Sequence, residues 1–248
     1  MGSERIVEKE PEKSKFHKHQ QKSYPLMSIL KFHCRLLRFV SRCFKATTVS
    51  YPATRHGSYT NLEKHKDTQT ENTNKKRTII LDLDETLVHS TTQIPGVKYD
   101  FMVMVKMENE IMPIFVVKRP GVTEFLERLG ENYKVTVFTA GLEDYASQVL
   151  DKLDKNGVIS QRLYRDSCTE VNGKYVKDLS LVVGKGLGNA LIVDDNPSSY
   201  SLQPENGVPI KAFVDDLKDQ ELLKLVEFLE SCYVYEDMRD AVQDLLAN

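Results

Sequence analysis

From Thr78 onward, short apolar runs alternate with stretches of helical periodicity, and this alternation restricts the fold more than any other feature of the chain. TIILDL, KVTVFTAG and NALIVDDN read as strands buried on both faces, while GVTEFLERLGENY and LEDYASQVLDKLDKNG read as helices, the second closed by Gly157. Such an order makes an α/β domain: a Rossmann-like, mostly parallel sheet with helices on both faces. YDFMVMVKM and EIMPIFVVK flank a polar Glu-Asn-Glu and predict a β-hairpin insertion, with Pro113 confining its strand to an edge or a bulge. RLYR and VPIKAF are short strands, Asn172-Gly173 marks a tight turn, and helices over 220–231 and 236–246 finish the domain.

The region before this domain has a different composition. Residues 1–77 hold 17 Lys and Arg against 7 Asp and Glu, whereas residues 78–248 hold 17 against 29. The first region suits anionic surfaces and the second tolerates or needs cations. Residues 1–77 are expected to be a basic, largely disordered N-terminal region, apart from one amphipathic helix near 26–45. There Lys31, Arg35, Arg38, Arg42 and Lys45 form a basic stripe opposite Ile29, Leu36, Leu37, Val40 and Phe44. That helix would lie on a membrane surface, dock on a partner, or pack as an extra helix on the main domain. The four cysteines include no C-x-x-C pair, so neither a disulfide framework nor a zinc site is indicated.

Chemistry gathers where three strands end. In open parallel sheets ligands bind beyond the carboxyl ends of the strands, and TIILDLD, KVTVFT and ALIVDD all end there in polar residues. Asp82 and Asp84 share a face if the strand stays extended, and point into one crevice if it turns. Should Asp194 and Asp195 reach the same edge, four carboxylates converge. Each like-charge pair at about 4 Å costs on the order of 4 kcal/mol at an effective dielectric of about 20. Two remedies exist: protonation of some carboxylates, or a hard cation among them, for which an all-oxygen donor set favours Mg²⁺ over zinc or copper. Lys177 is a candidate second cation.

The run DLDET at 82–86, Thr139 in VFTAG, Lys177 in YVKDLS and the Asp194-Asp195 pair resemble, in order, the four motifs of the haloacid-dehalogenase superfamily. LDLDETLVHS, VKRPGVTEFL, VFTAGLEDYA, YRDSC, YVKDLS and IVDDNPSSY are similar, more narrowly, to the small phosphatases acting on the C-terminal domain of RNA polymerase II and their nuclear-envelope relatives. The resemblance covers residues 78–248, and it implies an HAD-like phosphatase domain there. It implies a Mg²⁺-dependent protein serine/threonine phosphatase working through an aspartyl phosphate. Asp82 would be the nucleophile and Asp84 the general acid, then base. Thr86 would support the turn and count among the substrate-side residues. Thr139 and the backbone N–H groups of Ala140 and Gly141 would hold phosphate oxygens, with Lys177 neutralising charge. Mg²⁺ would sit on Asp82, the Asp84 carbonyl and Asp195, with Asp194 as ligand or orienter. Small phosphatases often carry Asn where this chain has Asp195.

Asp84 and Thr139 are 55 positions apart, Thr139 and Lys177 are 38 apart, and predicted elements fill both intervals. No room remains for a separate cap domain, which suits a phosphoserine or phosphothreonine segment of a protein. The resemblance implies an apolar pocket from Val105, Met107, Ile114 and Leu142, and substrate contacts from Tyr145 and Arg165. Thr92-Gln93 stands where the polymerase-directed enzymes carry a pocket aromatic, a departure that bears on polymerase-tail specificity. The expected location is the nucleus, with Lys75-Lys76-Arg77 compatible with entry. The alternative is the cytoplasmic face of a membrane such as the nuclear envelope. A monomer without direct nucleic-acid binding is expected. The rival reading from another class is a catalytically silent binding module of the same fold, as in the mitochondrial import receptor.

Overall fold

A computed structural model describes residues 77–107 and 110–247. The expected helix near 26–45 and the expected character of the N-terminal region lie outside the described residues. The strands in chain order are β1 (Thr78–Leu81), β2 (Val88–Thr91), β3 (Phe101–Met107), β4 (Glu110–Lys118), β5 (Lys134–Phe138), β6 (Ile159–Leu163), β7 (Thr169–Val171), β8 (Lys174–Val176), β9 (Ala190–Asp194) and β10 (Gly207–Pro209). The helices are α1 (Val122–Asn132), α2 (Glu143–Leu153), α3 (Ser180–Val183), α4 (Glu221–Ser231) and α5 (Met238–Ala247).

β1 lies at the centre of a five-stranded parallel sheet of order β10-β9-β1-β5-β6. Its four residues are all buried, as a strand flanked by two neighbours and covered on both faces requires. Alternation divides them. Ile79 and Leu81 join Val135, Val137, Leu191 and Val193 in a large core with the apolar stripes of α1, α2, α4 and α5. Ile80, Phe138 and Ile192 pack the other way, against Leu179 and Tyr200. The two faces are covered unequally, because the second is closed by the single turn of α3 and short 3-10 segments. Tyr200 sets the backbone there: a Cβ on Gly207 would fall 1.9 Å from its ring, so only glycine fits at that point.

The expected hairpin forms, but as part of a three-stranded antiparallel sheet of order β2-β4-β3. β2 was not anticipated, being only VHST directly after the first acidic motif. Pro113 therefore sits in the middle strand rather than an edge strand. It is tolerated because β2 pairs with β4 only from Lys118 to Phe115, which leaves the β2 side of Pro113 without a partner strand. α2 ends at Leu153, short of Gly157: the Asp154 carboxylate accepts from the Val158 and Ile159 N–H groups at 2.8 and 3.0 Å and turns the chain into β6. The Asn172-Gly173 turn joins β7 and β8 as expected, with φ of 52° and 73°. Among the described residues no helix is long and apolar enough to cross a membrane.

Candidate active site

Parallel register brings the acidic groups together. Leu81 of β1 pairs with Val193 of β9 and with Val137 of β5, so the next residues, Asp82, Asp194 and, one further on, Thr139, emerge at the same carboxyl edge. The Asp82 N–H still donates to the Val193 carbonyl at 2.9 Å, which locks Asp82 beside β9. The chain then turns sharply. Leu87 and Val88 N–H groups donate back to Leu83, and Glu85 takes a left-handed φ of 60°. A non-glycine residue in that region costs of order 1–3 kcal/mol. Bonds from the Phe213 N–H to the Glu85 carbonyl and from His89 Nδ1 to Glu85 Oε1, at 2.7 and 2.9 Å, hold it there.

Lys177 stands at the centre of the site. Its Nζ donates to Asp82 Oδ1 at 2.5 Å and Asp194 Oδ2 at 2.6 Å, and all three side chains are buried. Burial opposes the charge on Lys177, but Asp194 and Asp82 outweigh it and raise its pKa. One ammonium does not satisfy the whole group. Burial pushes Asp82 well above the usual carboxylate range, with Asp194 and Asp84 adding to the effect and Lys177 opposing it. Burial, then Asp194 and Glu85, push Asp195 up to about 7. Asp84 is also pushed up to about 7, by burial first and Glu85 second.

Oxygens of Asp82, Asp194 and Asp195 all lie within 4.8 Å of one another. Three carboxylates against one lysine leave two negative charges, which matches a divalent cation, and the oxygen-only donor set suits a hard ion such as Mg²⁺. The partners divide the roles. Asp194 already accepts from Lys177 on Oδ2 and from the Asn196 N–H on Oδ1 at 2.8 Å, which leaves it mainly to orient. Asp195, partly exposed beside it, is the more open donor.

On the β5 side, Thr139 is buried and its Oγ1 accepts from the Gly141 N–H at 2.9 Å, so that N–H is turned inward here rather than toward solvent. A Cβ on Gly141 would lie 3.1 Å from Thr139 Oγ1, a tight contact that glycine avoids, and 3.5 Å from Asp84 Oδ2, which puts the Asp84 carboxyl beside this loop. Arg165 braces the loop, its Nε donating to the Ala140 carbonyl at 2.6 Å while its guanidinium lies over the Tyr175 ring. α2 begins two residues after Gly141, and its N-terminus directs partial positive charge toward this loop.

The remaining sequence candidates separate. Tyr145, on the first turn of α2, hydrogen-bonds Asp84 Oδ1 and, at 2.5 Å, Ser90 Oγ. Thr86 is fully buried and its hydroxyl finds no partner among the described residues, so it lies under the cleft instead of on a substrate-facing wall. Val105 and Ile114 belong to the main core, with 2% and 8% exposure, and offer little open apolar lining. Leu142 is exposed at the start of α2. Met107 is placed by its backbone alone, opposite Glu110. Two participants were missed. Ser90 and Arg119 lie within the blocks LDLDETLVHS and VKRPGVTEFL, but the sequence assigns neither a role. Arg119 is in fact buried: it holds Asp219 through Nε and Nη2 at 2.8 and 2.9 Å and donates to the Thr86 carbonyl at 3.1 Å, tying down the acidic turn. No sequence signal distinguishes such an arginine from a solvated one.

A family model described as NLI interacting factor-like phosphatase matches residues 77–239. A probable C-terminal domain small phosphatase of Dictyostelium discoideum is 48% identical over 163 residues, covering 66% of this chain and 53% of that protein. A human CTD small phosphatase-like protein is 46% identical over 155 residues, covering 62% of this chain and 55% of its own length. The chain thus spans about half the length of these relatives. Among solved structures, Fcp1, an essential RNA polymerase II CTD phosphatase, superposes with a TM-score of 0.50 at 19% identity, covering 69% of this chain and 53% of that one. At that identity the likeness concerns the fold.

Proposed function

Because the chain belongs to the NLI interacting factor-like phosphatase family, we propose that residues 78–248 form a protein serine/threonine phosphatase domain that transfers phosphate through Asp82. The observation that carries this reading is the buried set of Asp82, Lys177 and Asp194 at one sheet edge, with the Asp84 carboxyl beside the Gly141 backbone.

Each side chain then has a task. An Asp82 oxygen attacks phosphorus while the bond to the serine or threonine oxygen breaks, giving an acyl phosphate that water can reopen. Asp84, neutral below about 7, gives its proton to the departing oxygen and afterwards takes one from the attacking water. Lys177 holds Asp82 in place and offsets charge on the phosphate as a point charge. Thr139 and the loop to Gly141 receive phosphate oxygens at the helix N-terminus, which requires the Gly141 N–H to exchange Thr139 Oγ1 for the ligand. Asp82, Asp195 and the Asp84 carbonyl would hold Mg²⁺, with Asp194 orienting them. When bound, the ion supplies neutralisation of the clustered carboxylates and of the phosphate dianion.

The relatives' names point to phosphoprotein substrates, and the RNA polymerase II C-terminal domain or another nuclear phosphoprotein is the proposed class, acted on in the nucleus. Turnover of a phosphoserine peptide by the full chain tests the reading. Mg²⁺-dependent, chelator-sensitive release of phosphate that vanishes in Asp82→Asn is expected. Absence of turnover would instead leave a silent binding module, and full turnover by that variant would remove Asp82 as the nucleophile.

A further inference from the structure

We propose that a hydroxyl relay running from Ser90 through Tyr145 to Asp84 fixes which oxygen of Asp84 carries the proton delivered to the leaving group. This rests on the reading of Asp84 as general acid. The relay joins three elements: Ser90 on β2, Tyr145 on α2 and Asp84 in the turn after β1. Tyr145 Oη bonds to Asp84 Oδ1 on one side and Ser90 Oγ on the other.

A hydroxyl has one proton to donate. An ionised Asp84 only accepts, so the order in that state is Ser90 to Tyr145 to Asp84 Oδ1. In the acid state two orders compete. If Asp84 placed its proton on Oδ1, the proton would point at Tyr145 and be spent inside the relay. If Tyr145 keeps donating, the proton must sit on Oδ2. Oδ2 is the oxygen on the side of the Thr139–Gly141 loop, 3.5 Å from the position of a Cβ on Gly141. Donation by Tyr145 therefore aims the acid. In the forward step the phosphorus–oxygen ester bond breaks and the Oδ2 proton moves to the departing oxygen. The resulting Asp84 carboxylate keeps its bond from Tyr145 on Oδ1, so Oδ2 stays open to take the proton of the attacking water. No hydroxyl has to turn between the two steps. Tyr145 and Ser90 are positioning residues in this scheme, since they act through Asp84.

The test is the dependence of kcat/KM on leaving group, with the full chain and Mg²⁺, across nitrophenyl, phenyl and simple alkyl phosphates. A nitrophenolate departs with little help, whereas an alkoxide needs a well-aimed proton. Tyr145→Phe should lose about threefold on the nitrophenyl ester and about thirtyfold or more on the alkyl ester. Ser90→Ala, which leaves the tyrosine ring in place, should steepen the series in the same sense by a smaller factor and carries the test alone if Tyr145→Phe folds poorly. On an Asp84→Asn background, Tyr145→Phe should cost nothing further. Equal losses across the series, a rise in KM confined to phosphopeptides, or additive losses on the Asp84→Asn background would each overturn the relay. If the wild-type chain turns over no ester at all, the proposed function fails. A normal wild-type with parallel losses in the variants removes the relay alone.

Discussion

Two buried ionic groups lie within the same stretch of the fold and are built in opposite ways. In the first, Arg119 meets Asp219 two-pronged, and its other N–H groups reach the Thr86 and Lys211 carbonyls at 3.1 and 2.7 Å. One positive charge meets one negative, and four of the five guanidinium N–H groups have acceptors. Burial works against the Asp219 carboxylate, yet Arg119 holds it below the usual range. In the second, Lys177 faces Asp82 and Asp194 with Asp195 close by, and burial drives Asp82 and Asp195 upward because one cation is too few. The balanced group fixes the backbone of the acidic turn. The unbalanced one keeps unmet demand for positive charge, which a divalent ion and an incoming phosphorus centre can use.

If this contrast is right, substitutions in the two groups should fail in different currencies. The largest effect belongs to Asp82→Asn, which should lower kcat/KM by on the order of 10³ or more. Its urea midpoint should be unchanged or raised, because the substitution removes surplus negative charge. A variant that loses stability and activity together would break the comparison. Arg119→Met should do the reverse. It strands Asp219 without its partner and should cost about 3–5 kcal/mol in urea unfolding. An Arg119→Met chain of normal stability would show that the pair is not structural.

The next effect is on the pH dependence of stability. Asp84 and Asp195 titrate near 7 in the folded chain against an ordinary value of 3.8, so the folded state holds protons that the unfolded chain releases. Their contribution to stability is therefore full below the unfolded pKa and is lost as pH rises through about 7. Without divalent ions Tm should fall over that window. Adding Mg²⁺ should raise Tm more at about pH 8 than at about pH 5, since at the higher pH the ion no longer competes with protons. An equal Mg²⁺ response at both pH values would contradict the unbalanced-charge account. The smallest effect is expected for Asp195→Asn, which keeps one oxygen donor and removes one charge. Mg²⁺ affinity should drop about tenfold or less and kcat by a few-fold, as metal titrations of activity would report.

The legible part of this molecule was the part set by hydrophobic runs. TIIL, KVTVF and ALIV form the three central strands. In-register parallel pairing then brings their polar ends together, so the sequence alone groups Asp82, Thr139 and Asp194. What the sequence concealed depended on partners far along the chain. β2 is four residues with no apolar alternation of its own and exists because β4 pairs with it. Pro113 argues for an edge strand, and only the length of β2 reveals that it has one locally. Gly157 resembled the end of α2, but the side chain of Asp154 had already ended it. The resemblance implied a pocket wall at Val105 and Ile114, yet both pack into the core. Ser90 and Arg119 gain their roles from Tyr145 and Asp219, which are 55 and 100 positions away.

The most direct test of the central claim is to stop a single turnover with acid and map the phosphate on the protein. With the full chain, Mg²⁺ and a labelled phosphoserine peptide, an acid-stable, base-labile phosphoryl group on Asp82 is expected. It should form faster than phosphate is released and be absent from Asp82→Asn. Rapid phosphate release with no labelled protein at any time, or label on a residue other than Asp82, would contradict the account.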